Sequence, residues 1–198
     1  MRTSGKSSIL EENDLKRVIQ FQKSTKHGLR NTCLLHFSFY LGLRSKEMAG
    51  LSVMDVLFPD NSIKDEILLT REMTKGEKLR TAFLTNPKVI SVLKEYLDYR
   101  KENDEFFEMD SPLFRSQKNL RFTPQTLSMV FRKMYDSVGL SGCSSHSGRR
   151  TFATSLLNQG INIRNVQTLL GHASITTTSI YLETNPKMLG DIAKNLKI

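Results

Sequence analysis

A chain of 198 residues suits one domain, since domains commonly run to roughly 100–200 residues. Its 29 Lys and Arg against 20 Asp and Glu give a formal charge of +9 at pH 7, which favours a polyanionic partner and makes nucleic acid the leading class. No run approaches the ~20 apolar residues of a membrane span, the opening MRTSGKSSILEENDL lacks the apolar core of a secretory signal, and Cys33 and Cys143 sit in no CxxC or His/Cys cluster; these features argue against a membrane protein, a secreted chain, a disulfide framework and a metal site, and favour the cytoplasm.

From Leu15 the apolar residues Leu15, Val18 and Ile19 recur at helical spacing, and a more uniformly apolar run, CLLHFSFYLGL, follows from Cys33 and predicts a buried helix closed by Gly42. Ser45 is the expected cap of a short helix, KEMAGL, which puts Arg44 at an accessible turn between helices. Residues 63–84 read as a small antiparallel sheet of three segments, IKDEILLT, REMT and KLRTAFL, with Lys75 at the tip of the hairpin Lys75-Gly76-Glu77.

Asn86 and Pro87 start the next helix, whose face is Val89, Ile90, Leu93, Tyr96 and Leu97 and whose end lies near the acidic run ENDEFFEMD at 102–110. Thr123 and Pro124 open another, with Leu127, Val130, Phe131 and Met134 on one side, Gln125, Arg132 and Lys133 on the other, and Gly139 as its stop. Helices over 147–159 and 163–170 are each closed by a glycine, Gly160 and Gly171, and an amphipathic stretch, KMLGDIAKNLKI, ends the chain. There is no internal repeat, low-complexity segment or linker. The expected class is α+β, mostly helical with a three-stranded antiparallel sheet.

Three segments carry chemistry: GLRSKE at 42–47, HSGRR at 146–150 and LGHASITTTSIY at 170–181. His146 and Arg149 are three positions apart at a helix start and so share a face. His172 precedes Tyr181 by nine positions, across a helix-capping Ser174. Taken singly, each residue has an ordinary explanation: a surface arginine, a solvated hairpin lysine, a turn histidine, a packed tyrosine.

Taken in order, they resemble the tyrosine recombinase family, also called lambda-type integrases, whose pattern is an arginine in GLR-x-x-E, a hairpin lysine, H-x-x-R, then GH and a tyrosine nine residues beyond that histidine. The resemblance runs from Ile9 to about Lys187. It implies the family's catalytic-domain fold and an active site of Arg44, Lys75, His146, Arg149, His172 and Tyr181. Gly148 and Arg150 stand where members often have leucine and histidine.

The implied roles fit elementary chemistry. Two planar guanidiniums, Arg44 and Arg149, hold the scissile phosphate as charge develops on its oxygens. Tyr181, with an ordinary pKa of about 10, needs His146 as general base to attack. His172 donates to a phosphate oxygen, Lys75, or Lys78 on the same hairpin, protonates the departing 5′-oxygen, and Glu47 orients Arg44 from behind. The expected product is a 3′-phosphotyrosine and a free 5′-hydroxyl, formed without metal, ATP or other cofactor and reversible because one phosphoester replaces another.

Candidate DNA contacts are Lys78 and Arg80 beside the hairpin, and Arg115, Lys118 and Arg121 leading into the helix that carries Gln125 and Arg132. The expected partner is double-stranded DNA, with a homotetramer on paired sites, a monomer in solution and a nucleoid location. The expected domain is a single catalytic unit over 1–198 without the family's N-terminal clamp, either a catalytic-domain fragment or a compact one-domain member, with 186–198 a tail that docks on a neighbouring protomer. Two rival functions are a non-catalytic DNA-binding module with this fold and a type IB topoisomerase, which shares the phosphotyrosine chemistry; the spacing from GH to tyrosine favours the recombinases.

Overall fold

The computed structural model describes residues 8–74, 79–118 and 120–182. Lys75 and Lys78, and the tail at 186–198, lie outside the described residues.

The chain opens with α1 (Glu12–Lys23), started by Asp14, whose carboxylate accepts from the Glu11 amide. The central helix α2 (Gly28–Tyr40) begins five residues before the apolar run does. Its first turn is hidden by polar bonds that apolar periodicity does not report: Arg30 donates to the Arg115 carbonyl, and the Asn31 amide donates to Gln22 Oε1 at 2.8 Å. Leu34, Leu35 and Phe37 are wholly buried, because α1, α4 and α6 pack around this helix. Gly42, with φ of 62°, turns the chain out of α2.

The short α3 (Ser45–Gly50) is capped differently from expectation: Arg44, not Ser45, is the N-cap residue, and Glu47 closes the turn by accepting from the Arg44 amide at 2.7 Å. After a single 3₁₀ turn, Val53–Asp55, β1 (Glu66–Leu69) pairs antiparallel with β2 (Arg80–Phe83), Ile67 opposite Ala82. Among the described residues the sheet has these two strands and not three. The expected middle strand is a turn, since the amides of Met73 and Thr74 donate back to the Thr70 carbonyl instead of across to a neighbour.

Helix α4 (Pro87–Asn103) is capped by the Asn86 side chain, as its sequence predicts. Past its end the acidic run is folded back by Arg100, which is 1% exposed and donates to Asp104 and to the carbonyls of Pro112 and Leu113. Helix α5 (Pro124–Asp136) is capped by Thr123 and packs on α3. Then follow α6 (Ser147–Asn158), α7 (Ile163–Leu170), closed by left-handed Gly171, and α8 (Ile175–Ser179), whose cap is Ser174 as expected.

Among the described residues two apolar clusters result. The larger surrounds α2; the smaller gathers Ala153, Leu157, Val166 and Leu170, with the Tyr181 ring packed against it. Gly148 explains the close seat of α6 on α2, because a Cβ there would stand 2.3 Å from Ser38 Oγ. No described helix is long and apolar enough to cross a membrane.

Candidate active site

The chain crossing from α2 to α3, the start of β2, the start of α6 and the loop after α7 converge on one carboxylate. Glu47 is fully buried and faces three guanidiniums. Arg44 Nη1 donates to its Oε1 at 2.8 Å. Arg80 forks onto it, Nε to Oε1 at 3.2 Å and Nη2 to Oε2 at 2.9 Å. Arg149 Nη1 stands 3.7 Å from Oε2. Burial pushes the Glu47 carboxyl up, but Arg80 first, then Arg149 and Arg44, outweigh it and hold the group below the ordinary carboxylate range. Three cations against one anion leave a site with net positive charge, suited to an anionic group.

The two expected clamp arginines are not equivalent. Arg44 is half-buried and lines a cleft of about 570 Å³ together with Arg80, Gly171 and His172. Arg149 is almost wholly enclosed and donates to the carbonyls of Gly42 and Leu170. Burial, then the neighbouring charge of Arg44, pulls its pKa down to about 9, so it remains a cation at neutral pH.

His172 follows the turn at Gly171 and is held twice. Its amide donates to the Gln167 carbonyl, and its Nδ1 lies 2.9 Å from Thr178 Oγ1. Its ring stacks on that of Tyr181, centroids 6.1 Å apart and planes 24° apart. Burial, then Arg149, Arg44 and Arg80, draws the imidazole down to about 4, so at neutral pH it is uncharged and carries one N–H. A Thr178 hydroxyl that donates to Nδ1 would place that hydrogen on Nε2, where it can be given to a phosphate oxygen.

Tyr181 also packs against the small apolar cluster, and the tyrosine lies near enough to Arg149 to interact with its charge. His146 is the N-cap residue of α6 and is solvent-exposed, one turn from Arg149. The arrangement thus joins Arg44, Glu47, Arg149, His172 and Tyr181, with His146 at the same helix start as Arg149.

The expected DNA contacts divide. Gln125 and Arg132 on α5 and Lys118 before it are exposed. Arg80 does not stand at the hairpin surface; it is buried under Glu47. Arg115 pairs with Asp104 at 2.9 Å. Arg121 donates to the carbonyls of Ala49, Gly50 and Leu51 and to Ser52 Oγ, capping the end of α3.

Two participants escape sequence reasoning. The inward course of Arg80 has a signal, since Arg80, Ala82 and Leu84 alternate onto one face of KLRTAFL and the latter two are apolar. Thr178 has none, being one of several similar residues in ITTTS.

Known proteins resemble this chain in sequence and fold. The model of the phage integrase family matches residues 8–188. The tyrosine recombinase XerA of Pyrococcus horikoshii is 30% identical over 189 residues, covering 96% of this chain and 61% of that protein. The tyrosine recombinase XerC of Herpetosiphon aurantiacus is 34% identical over 158 residues, covering 80% of this chain and 49% of that protein. The chain therefore spans about half to three-fifths of these relatives. Among solved structures, XerA recombinase superposes with a TM-score of 0.75 at 28% identity, covering 96% of this chain and 66% of the other. XerH recombinase bound to a palindromic difH substrate in a post-cleavage complex gives 0.73 at 26%, covering 98% and 54%.

Proposed function

The chain belongs to the phage integrase family of tyrosine recombinases, and from that premise we propose that it breaks and rejoins DNA at specific sites with Tyr181 as nucleophile. The observation that carries this reading is the stacking of His172 on Tyr181 beside a carboxylate that gathers Arg44, Arg80 and Arg149. A pure DNA-binding module has no use for a tyrosine held against an uncharged imidazole and a buried cationic cluster.

The scissile phosphate enters the cleft lined by Arg44 and His172. Arg44 holds one non-bridging oxygen, and the remaining N–H groups of Arg149 support the pentacoordinate phosphorus from below; these donors stabilise charge where it grows. His146 takes the Tyr181 proton as the Oη–P bond forms, His172 Nε2 donates to a phosphate oxygen, and Lys75, or Lys78 in its place, protonates the leaving 5′-oxygen. A 5′-hydroxyl from a second duplex reverses the step, so no metal or ATP is required.

Lys118, Gln125 and Arg132 form the exposed DNA face of α5 in this reading, with phosphate contact ahead of base reading. XerH acts on a palindromic substrate; by the same symmetry two copies of this chain on one site, and four on two paired sites, are proposed. In solution the chain is taken as a monomeric catalytic unit, and its place of action as the nucleoid. Binding that depends mainly on phosphates weakens steeply with salt.

The test is covalent trapping: on nicked substrate DNA in EDTA, the wild-type chain should become attached to the DNA, and Tyr181→Phe should not.

A further inference from the structure

Arg80 opens β2, the strand that leaves the hairpin, and its side chain is 4% exposed. All three guanidinium nitrogens are directed inward. Nε and Nη2 fork onto Glu47, and Nη1 donates to the carbonyl of Leu169. The Glu47 oxygen that takes Nε also takes Arg44 Nη1. Leu169 is the neighbour of Leu170, whose carbonyl accepts from Arg149, and both residues end the helix from which Gly171 turns the chain to His172. The stem of Arg80 passes so near this turn that a Cβ on Gly171 would lie 2.6 Å from Arg80 Cδ.

We propose that Arg80 is a positioning residue for strand transfer: through Glu47 it fixes the direction of the Arg44 guanidinium, and through Leu169 it fixes the turn carrying His172, without touching DNA. This rests on the strand-transfer reading above. A basic residue next to a hairpin ordinarily meets phosphate, but here the side chain is 4% exposed and each guanidinium nitrogen already has a partner inside the protein. A salt bridge serving only the fold would neutralise Glu47 and stop there. Here the planar fork also sets the angle of a carboxylate shared with Arg44, and its third bond reaches the histidine turn. A lysine supplies the charge but neither the fork nor the reach to both partners.

The experiment compares Arg80→Lys in the wild-type and Glu47→Gln backgrounds, measuring melting temperature, DNA affinity at several salt concentrations, and single-turnover cleavage of a nicked duplex. Small displacements of catalytic groups slow reactions by up to about 100-fold, so Arg80→Lys should cleave about 10- to 100-fold more slowly. Its DNA affinity should stay within about twofold of wild type with an unchanged salt slope, since a lost phosphate contact would lower that slope by about one. In the Glu47→Gln background the same substitution should add less than about threefold, because one of its two paths is already cut.

Should Arg80→Lys alone melt below the assay temperature, the four proteins are compared at a lower temperature at which all are folded. The inference is overturned by a folded Arg80→Lys that cleaves at the wild-type rate, by a loss residing wholly in affinity with a shallower salt slope, or by equal penalties in both backgrounds. A wild-type chain that binds the duplex but forms no covalent product overturns the strand-transfer reading itself.

Discussion

The guanidinium of Arg149 stands 3.7 Å from the Glu47 carboxylate, yet its hydrogen bonds go to the carbonyls of Gly42 and Leu170. It therefore bridges two chain turns, the one that presents Arg44 and the one that presents His172, while lending its charge to both. An ammonium cannot span two carbonyls and still face a phosphate. Arg149→Lys should lower single-turnover cleavage by about 10²–10³-fold, the scale of losing one transition-state donor, with little change in DNA affinity measured by gel shift. Cleavage within tenfold of wild type would remove Arg149 from the reaction.

Glu47 holds three cations together, so its removal leaves them facing one another in a buried space. Glu47→Ala should lose about 3–5 kcal/mol in denaturant unfolding, as for other broken buried ion pairs. The carboxyl is held below its ordinary range in the folded protein, so its contribution is present above the unfolded value of about 4.3 and is lost as pH falls through the lower folded value. Wild-type unfolding midpoints should thus drop more steeply below pH 4 than those of Glu47→Gln.

The imidazole of His172 has the opposite linkage to that of a histidine gaining an acidic partner. Its pKa is drawn down to about 4, against an unfolded value near 6.5, so the unfolded chain takes up the proton first. Stability should fall as pH drops from about 6.5 towards 4 and level off beneath that. Replacing His172 with Gln should flatten that part of the stability profile, read by thermal melting across the range.

Thr178 Oγ1 lies 2.9 Å from His172 Nδ1, and a hydroxyl that donates there places the imidazole hydrogen on Nε2. A neutral hydrogen bond contributes roughly 1 kcal/mol, so Thr178→Val should slow cleavage about five- to tenfold. Nitrogen chemical shifts of His172 should show the hydrogen redistributed between Nδ1 and Nε2 in the variant and localised on Nε2 in the wild type.

Gly148 lies where α6 meets α2. A methyl group there meets Ser38 Oγ at 2.3 Å and Phe39 Cδ2 at 2.9 Å, so Gly148→Ala should destabilise the fold by about 1–3 kcal/mol, the range for overpacked cores. An unchanged unfolding midpoint would mean that α6 seats elsewhere.

Local rules made much of this molecule legible. Caps at Asn86, Thr123 and Ser174 and the left-handed stop at Gly171 follow from short-range chemistry, and the structure has them in place. Ordered motifs marked Arg44, Arg149, His172 and Tyr181, which the fold gathers from α3, α6 and the two sides of α8. Long-range satisfaction was not legible. The first turn of α2 is hidden because Arg30 finds a partner 85 residues away and Asn31 one in the preceding helix. Nothing local to Arg121 reveals that it also caps the end of α3, some 70 residues earlier. The inward course of Arg80 is more legible, because the alternation of β2 turns it to the face of Ala82.

The most direct measurement is covalent trapping on nicked duplexes carrying candidate sites, in EDTA, resolved on a denaturing gel with the attached peptide mapped by mass spectrometry. The expected product is a protein–DNA adduct on Tyr181 that survives denaturation, forms without added metal and disappears in Tyr181→Phe while DNA binding persists. An adduct on another residue, or none from wild-type protein on DNA that it binds, would contradict it.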